Sequence, residues 1–300
     1  MSASPSVWRA IAVSVSGIFL LEIMAALVKV LIVDYPAPQL AVYRNVFAML
    51  PAIILLSLTP GWRWRLDQIV IPLWQLGLLR GCFIAVAQVS FYFSLSFMPF
   101  ATASALTFTM SLFTTAFSAP LLGHKVGIWR WSAVLTGFLG IMLILRPGSD
   151  TFTVWAVLPV LAAVCYAATA VTSPLFPKSV PTAAINLWTG VSALIGATIL
   201  TTATSGWVPI ASATDLGLMV AMGLVGGCGV LLLIFAYRMT EPSNLSPFDY
   251  FGILFAFTIG YFFFGESPVD ELFPGVIFII AGGILIVWRE RLNKAREKAA

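Results

Sequence analysis

The chain has 300 residues, of which 60% are hydrophobic and 9% charged, with a formal net charge of +4. A soluble domain is about a quarter charged, so a water-facing fold would lack the polar surface to cover its core. The mean hydropathy of +1.00 places the chain in a bilayer, and the small positive charge, carried between apolar runs, is no nucleic-acid footprint.

A membrane-crossing helix needs about 20 mainly apolar residues. Such windows fall at 9–32, 39–58, 70–97, 101–122, 127–145, 152–173, 181–204, 212–239, 243–264 and 270–288. Short links rich in Pro, Gly, Ser and Asp separate them, among them "DYPAP", "RPGSD" and "GESPVD". The runs are long and continuously apolar, which favours helices over barrel strands.

A charge at mid-bilayer costs about 2.5–3.5 kcal/mol on insertion scales, so buried polar residues mark a cavity or a partner. The first window holds Glu22 and Lys29. Seven residues put them on nearly one helix face, about 10 Å apart, which predicts one wet face; snorkelling to headgroups is the alternative for Lys29. Arg44 and Asn45 open the second window and read as a helix-end anchor. In the third, Arg80 precedes Gln88 and Tyr92, which share a face at i, i+4. Arg80 suits a bidentate grip on a carboxylate, a pairing with an internal acid, or, if the helix starts later, a place nearer the cytoplasmic face.

Ser104, Thr107, Ser111 and Thr114 form a hydroxyl stripe on the fourth window, lining a pathway or knitting helices. Tyr166 in the sixth and Asn186 with Trp188 in the seventh are weaker cavity candidates. Gly223 and Gly227 read as tight helix packing. Asp249 and Tyr250, in "SPFDYFG" of the ninth window, are candidates for a cavity wall.

Positive charge orients the set. With both termini cytoplasmic, Arg9, Arg63, Arg65, Lys125, Arg130, Lys178, Arg238 and the tail "WRERLNKAREKAA" lie inside, and Arg146 lies outside. Residues 91–145 align with 233–287 at a constant offset of 142, Phe93 on Phe235 and Gly140 on Gly282. Each half then holds five helices, and an odd number makes the halves insert upside down. The expected fold is an all-α integral membrane protein of ten transmembrane helices in two inverted five-helix repeats. The first repeat spans 1–148; the second spans 149–300 and ends in a short basic cytoplasmic tail. Inverted repeats of this kind underlie many secondary transporters, with the site near the midplane.

Little else invites chemistry. Cys82, Cys165 and Cys228 are isolated in apolar runs, and His124 is a lone loop histidine. No metal or cofactor site, nucleotide motif or cleavable signal is expected, and an enzyme is disfavoured.

The doubled plan, "PLLGHKVGIWRWSAVLTGFLGIMLILRPG" and "FFFGESPVDELFPGVIFIIAGGILIVW" resemble the EamA-type drug/metabolite transporter superfamily. The second copy keeps the Gly265-Glu266 turn where the first has Gly123-His124. The resemblance implies a central cavity lined mainly by spans 1, 3, 4, 6, 8 and 9, where Glu22, Arg80, Gln88, Tyr92, Ser104, Tyr166, Asp249 and Tyr250 lie. It implies a multi-pass bacterial inner-membrane transporter of small molecules, similar to exporters of aromatic or other apolar amino acids. A channel-like facilitator, or a multidrug or nucleoside carrier of the same fold, is the alternative. Glu22 or Asp249 is a candidate proton carrier, and the chain is expected as a monomer or homodimer without a nucleic-acid partner.

Overall fold

A computed structural model of the chain describes residues 5–59, 63, 69–110, 112–114, 116–117, 128–145, 154–177, 179–239, 245, 248, 251–267, 269–282 and 284–285. Among the described residues there is no strand. The main helices are α1 (Pro5–Leu31), α2 (Ala37–Ser57), α3 (Trp74–Ser94), α4 (Phe100–Thr107), α5 (Ile128–Leu145), α6 (Val157–Thr172), α7 (Thr182–Leu200), α8 (Ala213–Met239) and α9 (Phe251–Phe264). A helical turn at Val269–Leu272 leads into a last helical stretch, α10, over 275–282 and 284–285. Each apolar window carries helical backbone, and among the described residues six helices are long and apolar enough to cross a membrane: α1, α2, α3, α6 with the turn before it, α7 and α8.

Proline and hydroxyl chemistry set the boundaries. Pro36, Pro99 and Pro181 stand as N-caps of α2, α4 and α7 with extended backbone ψ values of 141°, 143° and 132°. Proline's missing N–H costs nothing at a helix start. Window four is interrupted: α4 stops at Thr107 and a turn occupies 108–109 before helix resumes. Thr107 and Thr109 return their hydroxyls to the carbonyls of Ala103 and Leu106, at 3.0 and 2.5 Å, and such bonds compete with the helical ladder. The third helix begins at Trp74, after Leu73 in the left-handed region (φ 59°), four residues later than the window suggests.

α1 lies along α8, and α2 fits between α8 and α7. α3 packs on α7 and α6, α4 on α9, and α9 also reaches α1. Glycines allow the closest approaches. A Cβ on Gly17 would stand 3.0 Å from the Gly229 carbonyl oxygen, and one on Gly229 equally close to that of Gly17. α5 meets α10 in the same way, through Gly140 and Gly275. Large apolar side chains such as Phe262, Phe263, Leu254 and Ile277 point away from the bundle, which suits a lipid solvent.

One end of the bundle, carrying the α1–α2 turn, is tied by polar side chains. The Tyr35 hydroxyl donates to Asp215 Oδ2 (2.7 Å) and accepts from the Ala211 N–H (2.9 Å). Gln39 bonds the Val208 carbonyl and N–H reciprocally, at 2.7 and 2.9 Å. Below, this is called the Tyr35 end.

Candidate substrate-binding site

A cavity of about 380 Å³ opens between the helices and is bordered by α1, α2, α3, α4, α6, α7 and α8. Its walls are mainly apolar, with Met24, Met49, Phe91 and Phe108 among them. The polar groups are few and placed: Glu22 on α1, Arg44 and Asn45 on α2, Gln88 and Tyr92 on α3, Ser104 and Thr107 on α4, Tyr166 on α6, Asn186 and Thr189 on α7. A mostly apolar pocket with convergent polar groups is the usual form of a small-molecule site.

Glu22 is nine residues from the Tyr35 end of α1, and Arg44 is seven residues from the same end of α2. At 1.5 Å per residue they sit about 14 and 10 Å below that end, at nearly one level inside a hydrocarbon layer about 30 Å thick. Glu22 is buried, at 6% exposed, and accepts one hydrogen bond, from the Ser104 hydroxyl at 3.2 Å. A carboxylate offers about four acceptor positions, so most of its capacity is unspent. Arg44 donates to Asn45 Oδ1 at 3.1 Å, one of the five donors a guanidinium carries, and its Nε is buried without a partner. Among the described residues neither charge has an ionic partner. The cavity thus offers an acceptor for a cation and a donor fork for an anion on neighbouring walls.

Gln88 and Asn45 are committed to each other. Asn45 Nδ2 donates to Gln88 Oε1 (2.9 Å), and Gln88 Nε2 donates to Asn45 Oδ1 (3.2 Å). Both are about 98% buried. The pair clamps α2 to α3 and holds Asn45 Oδ1 where it orients Arg44. The Tyr92 hydroxyl stands 3.9 Å from Met24 Sδ, a weak acceptor.

Two of the expected residues stand elsewhere. Lys29 does not share the wet face of Glu22. Its ammonium pairs with Glu266 Oε1, donates to the Met98 carbonyl at 3.3 Å and lies 5.2 Å from the Phe264 ring centre. Glu266 Oε2 accepts the Phe100 N–H at 2.6 Å, so one carboxylate joins α1, the start of α4 and the turn after α9. Arg80 is also off the cavity. Because α3 starts at Trp74, Arg80 is only about 9 Å from the end opposite Tyr35. It donates to the Thr169 carbonyl and to Thr172 Oγ1 (3.0 Å) at the end of α6, and lies over the Phe176 ring at 5.7 Å. A cation at a helix C-terminus meets the negative end of its dipole. Asp249 and Tyr250 lie outside the described residues, as does His124.

Arg44 and Asn45, whose place in the sequence suggests a helix-end anchor, border the cavity, and so does Thr189, which no sequence pattern marks. The resemblance puts mainly spans 1, 3, 4, 6, 8 and 9 at the cavity; α2 borders it as well, and α7 does so through Asn186, a weaker candidate in sequence, and Thr189. The structure starts α2 at Ala37, which sets Arg44 about two turns inside the helix, deeper than the window at 39–58 suggests. Among the described residues no three His, Cys, Asp or Glu side chains come together as a metal site.

Comparison with known proteins adds the family. The profile of the EamA-like transporter family matches twice, over residues 8–146 and 153–288. An S-adenosylmethionine uptake transporter of Rickettsia bellii is 25% identical over 71% of this chain and 72% of its own length. A riboflavin transporter of Rhizobium johnstonii is 27% identical over 74% and 72%. The pseudopaline exporter CntI of Pseudomonas aeruginosa is 28% identical over 90% of both chains. A solved crystal structure covers 94% of this chain and 98% of its own with a TM-score of 0.64 at 18% identity, a likeness of fold. The two matches together span nearly all of the chain, and it belongs to the EamA-like transporter family.

Proposed function

We propose that the chain is a secondary transporter of small zwitterionic metabolites, most simply amino acids with aromatic or other apolar side chains, working in the bacterial inner membrane with both termini cytoplasmic. The observation that carries this reading is the pair Glu22 and Arg44: opposite charges, near one depth, in one apolar cavity, neither neutralised by a described protein group. A ligand ammonium answers Glu22, its carboxylate answers Arg44, and an apolar body fills the space between Met49, Phe91 and Phe108. S-adenosylmethionine, for which one relative is named, carries the same ammonium–carboxylate head. Glu22, buried with one hydrogen bond from Ser104, is the proposed proton carrier when the cavity holds no cation.

Alternating access between two inverted repeats, 1–148 and 149–300, is the proposed mechanism. Its support is an exchange of neighbours. Add five to each helix number of the first half and subtract five in the second: α1 on α8 becomes α6 on α3, α2 on α8 becomes α7 on α3, and α1 on α9 becomes α6 on α4. All of these contacts occur. The contacts α2–α7 and α4–α9 map onto themselves and also occur, as does α5–α10. The doubled family match points the same way.

The test is counterflow in proteoliposomes. Vesicles loaded with unlabelled L-phenylalanine or L-tryptophan should accumulate external label, saturably, from either side; export is the expected physiological direction. E22Q and R44M should each abolish it. Counterflow that survives R44M, or its absence across a panel of zwitterions, overturns the reading.

A further inference from the structure

Five described side-chain atoms are buried without a hydrogen-bond partner: Ser14 Oγ, Arg80 Nε, Arg44 Nε, Asn186 Nδ2 and Thr189 Oγ1. The last three border the cavity. A buried polar group left without any partner costs about 1–3 kcal/mol, so the three around this hollow must be answered by what fills it.

Thr189 is the most telling. Hydroxyls in helices usually bond back to the carbonyl one turn earlier. On and just beyond α7, Thr198, Thr201 and Thr202 do so, to Leu194, Ala197 and Thr198, at 2.8–3.0 Å. Ser192 instead bonds the Leu78 carbonyl of α3 at 2.6 Å. Thr189, 8% exposed, makes neither kind of bond. Asn186, one turn earlier, shares its face and leaves its amide unanswered too.

These two groups are not at the level of the charges. Met49 of α2 lies opposite Gly190 of α7, the side chain 3.6 Å from a Cβ built there. Met49 is five residues beyond Arg44, and the two helices run antiparallel. Thr189 is therefore about 9 Å, and Asn186 about 14 Å, further from the Tyr35 end than Arg44. An amino acid's head group cannot touch both regions.

We infer that Asn186 and Thr189 form a second polar subsite, and that the natural substrate is an elongated zwitterion whose far end carries hydrogen-bond acceptors, such as an amide, a carbonyl or a nitrogen heterocycle. The inference rests on the zwitterion reading above for the near end. The Arg44–Glu22 level takes the charged head; the α7 pair selects among substrates by the tail. Specificity then resides in a helix that contributes no charge. A site built to bond a polar group discriminates strongly against ligands lacking it, because its own groups are left unpaired.

The test measures binding to the full chain in detergent with three probes that share an α-amino-acid head. L-Phenylalanine lacks a distal acceptor; 4-carbamoyl-L-phenylalanine and S-adenosyl-L-homocysteine carry an amide and a purine there. The N186L/T189V variant should weaken at least one acceptor-bearing probe about tenfold, the loss of one to two hydrogen bonds, and leave L-phenylalanine unchanged, which also shows that the variant is folded. T189V, nearly isosteric, should give a smaller loss in the same direction and serves if the double variant does not fold. If L-phenylalanine binds and the variants weaken no probe, or weaken all three alike, the second subsite is wrong while the head site stands. If no probe binds the unaltered chain, both fall.

Discussion

Replacing Lys29 by Met and Glu266 by Gln, singly and together, isolates the ion pair that joins α1 to the turn after α9. The side chains are 15% and 16% exposed. Exposed pairs are worth about 0.2–1 kcal/mol, and breaking a fully buried one costs about 3–5 kcal/mol. The Lys29–Glu266 pair lies between, and a coupling of about 2 kcal/mol is expected from the double-mutant cycle. E266Q retains a carbonyl oxygen for the Phe100 N–H, now 2.6 Å from Glu266 Oε2. E266A loses that bond as well and should cost about 1 kcal/mol more. Thermal unfolding of purified protein in detergent reads these differences; at roughly 2 °C per kcal/mol for a chain of this size, K29M should lower the melting temperature by about 4 °C. Single-variant effects that add to within about 0.5 kcal/mol would show that the two charges do not interact and that Lys29 is free to serve elsewhere.

Three further outcomes follow from the packing. R80M should destabilise the chain by about 2 kcal/mol through its bonds to the end of α6 while leaving ligand binding intact; R44M should do the reverse, and the contrast is read by melting temperature against binding. Q88L should cost about 1–3 kcal/mol by orphaning the Asn45 amide, and N45L/Q88L should recover part of it because both polar partners are gone. In G81A, the new Cβ would fall 2.3 Å from Ser192 Cβ and 2.6 Å from the Thr189 carbonyl oxygen, so α3 must move off α7. A cost of about 1–3 kcal/mol is expected for such overpacking, with weakened binding of the acceptor-bearing probes because Thr189 moves too.

The helical nature of the chain was legible in hydropathy, because a bilayer demands long apolar runs with internally satisfied backbones. Depth was less legible. A four-residue error in the start of α3 moves Arg80 by about 6 Å, enough to take it from mid-bilayer to the end of α6. Partnership across the chain was not legible at all: Lys29 meets Glu266 237 residues later, and no local pattern announces that. The same holds for α2 and α7. Their polar residues read as anchors or weak candidates until the packing of α2 between α7 and α8 turned Arg44, Asn186 and Thr189 toward one hollow. Glu22, Gln88, Tyr92, Ser104 and Tyr166 do border the cavity, although Gln88 spends its amide on Asn45.

Where Gly17 and Gly229 meet, each backbone oxygen is already as near as a neighbour's methyl would allow. Leu21 of α1 and Leu232 and Leu233 of α8 close in on the same crossing. If the two halves tilt in alternation, that crossing is a natural fulcrum, and a methyl group placed on it would press on Leu21, Leu232 or Leu233 and stiffen the roll.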